Sequence, residues 1–391
     1  WTTPWDIEAK KYTAWSVIGN GCTVTREVKE MASPLDANTP NAMQLVITAS
    51  GAGANAALVN EGYWGIAVQD GAKYDLRFYL RTSDYTGKVT AAVCDNAGNP
   101  VGKVELDVNK NGAWNEYTGV ITADRTINDG TFQLQFSGNG TIDVDYVSLF
   151  PQDTFRGRKN GLRRDVAEAL EALSPAFIRW PGGCIVEGAT LENRVKWKET
   201  LGDPMTRPGE WDCWGYRCTW GLGYHEALLF AEDINMDFMY VGNLGMACSG
   251  RNADYVTVSG LQPYIDEIED AIQYAIGDPA TNEWAAKRAA AGHPEKFPLK
   301  YVELGNENWT TRYTNLFNYA YAYFKEKYPE LVFISTLAHY DGDVKNTVKT
   351  DMYDSHYYKA PDFFYKESTF DYDNVDRNAL GAEIYVGEWA C

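Results

Sequence analysis

Two stretches carry residue types at a spacing suited to acid–base chemistry. Lys300 to Trp309 (Lys-Tyr-Val-Glu-Leu-Gly-Asn-Glu-Asn-Trp) reads as a short apolar strand that stops at Gly305-Asn306-Glu307. Far down the chain, Glu383-Ile384-Tyr385-Val386-Gly387-Glu388-Trp389 repeats the pattern of an apolar run, a glycine and a glutamate. One protonated and one ionised carboxyl facing each other across a bond is the requirement of glycoside hydrolysis. A single strand-end glutamate is equally well a helix cap or a surface residue. The repetition on strands far apart in sequence favours the chemical reading.

Such lips need a frame. From Lys10 to Phe150 the sequence runs in short alternating segments broken by Gly, Asn and Asp: Ala42–Ala49, Tyr74–Arg81, Lys88–Cys94, Glu116–Thr122, Thr131–Phe136 and Thr141–Phe150. No helical period lies between them, which predicts an antiparallel β-sandwich over residues 1–150 of the jelly-roll, carbohydrate-binding-like kind. Tyr63, Trp64 and Trp114 are candidates for a sugar platform, with burial in a core as the alternative. A polar linker is expected at 151–160. From there to 391 the rhythm becomes helix and strand in alternation, which predicts a parallel sheet with helical crossovers. Six strands are legible: Ala176–Trp180, Phe238–Gly242, the run before Glu307, Leu331–Thr336, Met352–Ser355 and the run before Glu388. That is two short of a (β/α)8 TIM barrel, whose chemistry sits on the loops at the strand C-termini.

The 391 residues are enough for two or three domains, because single cores stop growing beyond roughly 250–300 residues. A formal net charge of -19 excludes nucleic acid and an anionic membrane surface as partners, since no basic excess is available for phosphates. Thirteen Trp and 26 Tyr supply flat faces for stacking on sugar rings. The seven cysteines lack metal-type spacing and the four histidines are scattered, so no metal site is expected. Only Cys213 and Cys218 stand close enough in sequence for a local disulfide, and a chain this large does not need one. No apolar run is long enough to span a membrane. Trp1 and Cys391 read as processing or fragment boundaries.

Ordered motifs across Gly157 to Trp389 give the chain a resemblance to a known family. They are Gly157-Arg158 with Asn160-Gly161-Leu162-Arg163, then Phe177-Ile178-Arg179-Trp180-Pro181-Gly182-Gly183-Cys184-Ile185-Val186-Glu187-Gly188, then Trp214-Gly215-Tyr216 leading into Gly221-Leu222-Gly223-Tyr224. Gly305-Asn306-Glu307, Ser355-His356-Tyr357-Tyr358 and Gly387-Glu388-Trp389-Ala390 complete the set. The chain resembles the α-L-arabinofuranosidases of glycoside hydrolase family 51, in the branch with a sandwich module beside the barrel. The resemblance implies Glu307 as general acid/base and Glu388 as nucleophile of a retaining, exo-acting reaction. It implies Asn306 at the sugar 2-hydroxyl, Arg179 and Tyr358 against the nucleophile, and His356, Cys184 and Trp214 lining the sugar site. No cofactor is implied.

At the position of Cys184 many family members carry Asn; the cysteine form recurs in the sandwich-bearing branch. The resemblance also implies a first and an eighth barrel strand that are not found here, so 161–391 supplies strands 2 to 7. Further segments of the same polypeptide or another chain would have to provide the rest. The expected partner is an arabinose-containing polysaccharide or oligosaccharide, and the expected setting is extracellular or periplasmic. Two other readings stay open: another retaining barrel glycosidase, such as an endo-xylanase or glucanase, and a non-catalytic carbohydrate-binding fragment.

Overall fold

The computed structural model describes residues 14–49, 51–338, 348–366 and 375–391; His339 falls outside them. The chain forms two compact units, Trp1–Ala172 and Leu173–Cys391.

The first unit begins with strands β1 (Trp15–Asn20), β2 (Cys22–Glu30), β3 (Asn41–Ala49), β4 (Asn55–Asn60) and β5 (Ile66–Val68). It continues with β6 (Lys73–Arg81), β7 (Lys88–Cys94), β8 (Pro100–Asp107), β9 (Asn115–Thr122), β10 (Ile127–Phe136) and β11 (Gly140–Pro151). One antiparallel sheet has the order β1-β4-β10-β7-β8, with β5 also on β10, and the other has the order β2-β3-β11-β6-β9. Alternation makes the sandwich. On β6, Leu76, Phe78 and Leu80 are buried while Arg77, Tyr79 and Arg81 point away; on β10, Phe132, Leu134 and Phe136 do the same for the other sheet. These two rows share a single core with Met43, Leu45, Val89, Ala91, Ile142 and Val144, so a shift of register by one residue would expose every one of them. A turn at Phe155–Gly157 and helix α1 (Arg164–Ala172) close this unit. Trp114 is occupied, with its Nε1 donating to the Ser33 carbonyl and the Arg81 guanidinium over its ring. Tyr63 and Trp64 are 83% and 88% exposed, with ring centroids 4.7 Å apart.

The second unit alternates as the sequence predicts. Its elements are β12 (Phe177–Trp180), the two-residue strands β13 (Glu210–Trp211) and β14 (Arg217–Cys218), α2 (Tyr224–Asp233), β15 (Asp237–Gly242), α3 (Gln262–Ile276), α4 (Glu283–Ala290), β16 (Leu299–Leu304), α5 (Thr310–Lys327), β17 (Val332–Ser335), β18 (Met352–Tyr358) and β19 (Glu383–Ala390). The six long strands form one parallel sheet in chain order, β12-β15-β16-β17-β18-β19. The crossover helices bury one stripe each: Ile265, Ile268, Ala271, Ile272 and Ala275 on α3, and Tyr313, Phe317, Ala320 and Phe324 on α5.

The sheet curls enough for side chains of its first and last strands to touch. Phe177 on β12 lies 6.0 Å from Tyr301 on β16 and 5.6 Å from Tyr385 on β19, centroid to centroid. Among the described residues β12 pairs only with β15 and β19 only with β18. No helix among the described residues is long and apolar enough to cross a membrane. All seven cysteines are free thiols, Cys213 and Cys218 included; the Cys218 thiol donates to Asp212 at 3.4 Å instead of pairing.

Candidate active site

The inner face of the sheet carries charge where strands β12, β16, β18 and β19 converge. Arg179 is the hub. Its Nε and Nη2 donate to the two oxygens of Glu303 at 2.7 and 3.2 Å, its Nη2 also to Asn306 Oδ1 at 2.8 Å, and its Nη1 to Glu388 Oε1 at 3.0 Å. Burial opposes charge on this guanidinium, but Glu303 and Asp354 hold it protonated. The turn after β12 must stay clear of it: Gly182 has a φ of +68°, and a Cβ there would lie 2.8 Å from Arg179 Nη1. Full burial pushes the Glu303 carboxyl upward against the pull of Arg179, with Asp354 adding to the rise.

Glu307 and Glu388 face each other from different strand ends. One carboxylate oxygen of each and a ring nitrogen of His356 lie within 4.8 Å of one another, and His356 Nδ1 is 3.0 Å from Glu307 Oε1 and 3.7 Å from Glu388 Oε2. Glu388 accepts from Arg179 on one oxygen and from the Tyr358 hydroxyl on the other, at 2.6 Å. That bond, more than burial, pushes the Tyr358 hydroxyl up to about 12. Glu307 stands in a left-handed backbone conformation with φ 44°, a strained geometry for a non-glycine residue and one that collects at functional sites. Its Oε1 pairs with His356 Nδ1 at 3.0 Å, and its Oε2 accepts a long bond of 3.7 Å from the Cys184 thiol.

The electrostatics of Glu307 run against the expected assignment. A general acid is expected to sit above the ordinary carboxylate range, yet Glu307 is held below it, chiefly by the His356 hydrogen bond and in spite of burial. For His356, burial works toward the neutral ring, but its bonds to Asp354 (Nε2, 2.8 Å) and Glu307 lift it to about 10. The two carboxylates on either side favour the charged imidazolium, whose Nδ1 stands 3.0 Å from Glu307.

The remaining expected residues fall into place unevenly. Asn306 is fully buried and both ends of its amide are engaged, Oδ1 with Arg179 and Nδ2 with Glu187 Oε2 at 3.2 Å. Trp214 is half exposed and its ring edge lies over the Gly183 turn, where a Cβ would come within 3.5 Å of Cη2. Cys184 lies beside Glu307, and its thiol is raised by burial first and by Cys248 second.

Three buried acids escaped the sequence reading as site residues: Glu187, Glu303 and Asp354. Each sits within a stretch identified for other reasons, and the available signal was an acid inside an otherwise apolar strand or a Gly-rich turn. Glu187 takes amide protons from Asn306 and Asn308, and burial pushes it up to about 8. The ligating atoms of Cys184, Glu187 and Cys248 lie within 4.8 Å of one another, a gathering that linear spacing did not reveal. The thiols, carboxylates and imidazole have the donor chemistry for a metal, and the carboxylates are met by arginine, amide, hydroxyl and imidazole donors.

Four strand ends thus present two opposed carboxyls, one cradled by Arg179 and Tyr358 and one paired with the His356 imidazole, and a pair of opposed carboxyls is what glycoside hydrolysis requires. Residues 169–377 match the family described as the Alpha-L-arabinofuranosidase 1 domain. The chain is 33% identical over 400 residues to an extracellular exo-alpha-L-arabinofuranosidase of Streptomyces chartreusis, covering 97% of this chain and 46% of that protein. It is 35% identical over 342 residues to alpha-L-arabinofuranosidase 2 of Arabidopsis thaliana, covering 85% of this chain and 48% of the relative. The solved structure of arabinose-bound MgGH51 α-L-arabinofuranosidase superposes with a TM-score of 0.89 at 31% identity, covering 97% of this chain and 60% of that one. The chain belongs to the family 51 α-L-arabinofuranosidases. It spans about half the length of these two curated relatives.

Proposed function

We propose that this chain carries the catalytic centre of a retaining, exo-acting α-L-arabinofuranosidase that removes terminal arabinofuranosyl groups from hemicellulose- or pectin-derived glycans. The observation that carries the reading is the approach of one Glu307 oxygen to within 4.8 Å of one Glu388 oxygen, with His356 Nδ1 between them at 3.0 Å from Glu307 and 3.7 Å from Glu388. Retaining glycosidases hold the two carboxyls about 5–5.5 Å apart, whereas inverting enzymes leave room for a water at roughly 6.5–9.5 Å. Glu388 attacks the anomeric carbon; Arg179 and Tyr358 orient it, and their bonds must loosen as its charge passes to the new ester. Glu307 protonates the leaving oxygen, then takes a proton from the water that releases arabinose. Because Glu307 is ionised beside the imidazolium, the acid is loaded by transfer of the Nδ1 proton of His356 as the leaving oxygen arrives. Cys184 and Trp214 line the sugar side, and Asn306 reaches it only by exchanging one of its present partners.

The exo mode and a secreted setting draw support from the Streptomyces relative's name. Closure of the six-stranded sheet to an eight-stranded barrel would use strands outside the described residues, from the same polypeptide or from another chain. The sandwich is read as a jelly-roll accessory module with Tyr63 and Trp64 as its sugar-facing pair. The test is hydrolysis of an aryl α-L-arabinofuranoside by the full-length protein, with release of arabinose of unchanged anomeric configuration expected. Inverted product, or turnover that survives Glu388→Ala undiminished, would refute it.

A further inference from the structure

Asp354 lies two residues before His356, fully buried on the inner face of β18, and its carboxylate is divided between two tasks. Oδ1 accepts the Gly387 backbone N–H at 2.7 Å, and Oδ2 meets His356 Nε2 at 2.8 Å. Both partners lead directly to a catalytic carboxyl. Gly387 immediately precedes Glu388, and His356 holds Glu307 through its other nitrogen.

The pairing of β18 with β19 explains why the first contact matters. Asp354 stands opposite Tyr385 and His356 opposite Glu388, so two steps on β18 are matched by three on β19. This is a β-bulge, which adds one residue and re-aims the side chains beyond it. In a regular strand Tyr385 and Glu388 would point to opposite faces. Here Tyr385 packs against Phe177 inside the sheet and Glu388 also reaches the inside to meet Arg179. Gly387 sits in the bulge without a left-handed φ, so its backbone suits any residue. What excludes a side chain is space: a Cβ would lie 2.5 Å from both Asp354 carboxylate oxygens.

We propose that Asp354 is the positioning residue that couples the two catalytic carboxyls, fixing with one oxygen the bulge that turns Glu388 inward and with the other the His356 ring that holds Glu307. The inference rests on the assignment of Glu307 and Glu388 given above. Other charged or titratable groups around it are Arg179, whose Nη2 is 3.7 Å from Oδ2, Glu303, which shares a hydrogen bond with it, and Tyr385. Arg179 meets Glu388 directly, and His356 Nδ1 stands 3.0 Å from Glu307 and 3.7 Å from Glu388; Asp354 lies behind both, serving the bulge and the imidazole together.

The test is Asp354→Asn in the full-length enzyme, with kcat and KM measured on arabinofuranosides bearing good and poor leaving groups. Asparagine keeps the shape but cannot accept from both Gly387 N–H and His356 Nε2–H. The expected result is a fall in kcat of roughly 10²-fold, the loss that a misplacement of about 1 Å brings, with KM changed less than about threefold. The fall should persist for good leaving groups, because the aim of the nucleophile serves every substrate. A loss that disappears with a good leaving group would reduce Asp354 to a support of Glu307 and overturn the coupling, as would unchanged kcat. Gly387→Ala provides a second variant that keeps the charge but displaces the carboxylate, and wild-type kcat in it would also overturn the proposal. In the unmodified protein the Gly387 amide should be strongly protected from hydrogen exchange; exchange at the rate of an open loop contradicts the bond even if neither variant folds. Glu388→Ala run in parallel separates the two claims: if it is inactive while Asp354→Asn is unimpaired, only the positioning role fails.

Discussion

Arg179 and Glu388 stand 209 positions apart in sequence, on the first and last strands of the six-stranded sheet, and are joined by a 3.0 Å hydrogen bond. The same guanidinium is held bidentately by the fully buried Glu303. Curvature of the sheet is therefore tied to the charge that orients Glu388, the proposed nucleophile. Removing one partner of a buried pair leaves an uncompensated charge and costs about 3–5 kcal/mol. Arg179→Met should lower unfolding stability by that order, and a urea-measured loss below about 1 kcal/mol would show that Glu303 does not depend on it.

The two glutamates should respond differently to removal. Glu388→Ala should be inactive, and added azide should restore turnover with an inverted product, because the anion takes the vacated space. Glu307→Ala should keep activity on substrates whose leaving groups need no protonation. Identical behaviour of the two variants across leaving groups contradicts the division of roles.

The position of the imidazolium gives the alkaline limb of the pH profile. With His356 lifted to about 10, its pair with Glu307 keeps the catalytic proton well above neutrality and loses it as pH rises through that value. His356→Gln leaves Glu307 to hold the proton alone, so the basic limb of kcat/KM should move to lower pH. An unmoved limb would place the proton elsewhere. Stability follows the same sign: the imidazolium's contribution is complete below the ordinary histidine value of about 6.5 and fades as pH rises toward 10. The loss of stability between neutral pH and 10 should be smaller in the variant.

On the sandwich, Tyr63 and Trp64 present adjacent rings to solvent, and Trp64 does so from a left-handed backbone with φ 60°. Stacking on sugar faces would give both rings a use. Trp64→Ala should reduce retardation of the full-length protein on arabinoxylan in affinity electrophoresis and leave hydrolysis of a small aryl glycoside unchanged. Equal retardation of both proteins would assign the pair no sugar.

Much of this centre was legible because strand-end chemistry is local. Gly305-Asn306-Glu307 and Gly387-Glu388 announce themselves within three residues, and the alternation of helix and strand places them on one lip. Glu303 was hidden because an acid facing inward on a strand looks like any alternate residue until Arg179 arrives from 124 positions away. The bulge at Gly387 was hidden more deeply, since it exists only as an offset between two paired strands. The lowering of Glu307 has the same origin: the general-acid role implies a raised carboxyl, and only the fold shows an imidazolium against it. In the sandwich, β2 went unread because Cys22, Val24 and Val28 alternate among charged residues too sparsely to stand out, although the pairing with β3 spans all nine positions. Helix α4 went unread because it is short, and its support is an Asn282 cap and the burial of Arg288, which donates to four carbonyls.

The central claim is that Glu388 forms a covalent bond to the sugar while Glu307 handles the proton. The most direct measurement is mass spectrometry of the full-length Glu307→Ala protein quenched during turnover of an aryl α-L-arabinofuranoside with a good leaving group. The account predicts protein heavier by one pentosyl residue, with the label on the peptide containing Glu388. Rapid turnover with no labelled protein at any time, or a label on another carboxylate, would contradict it.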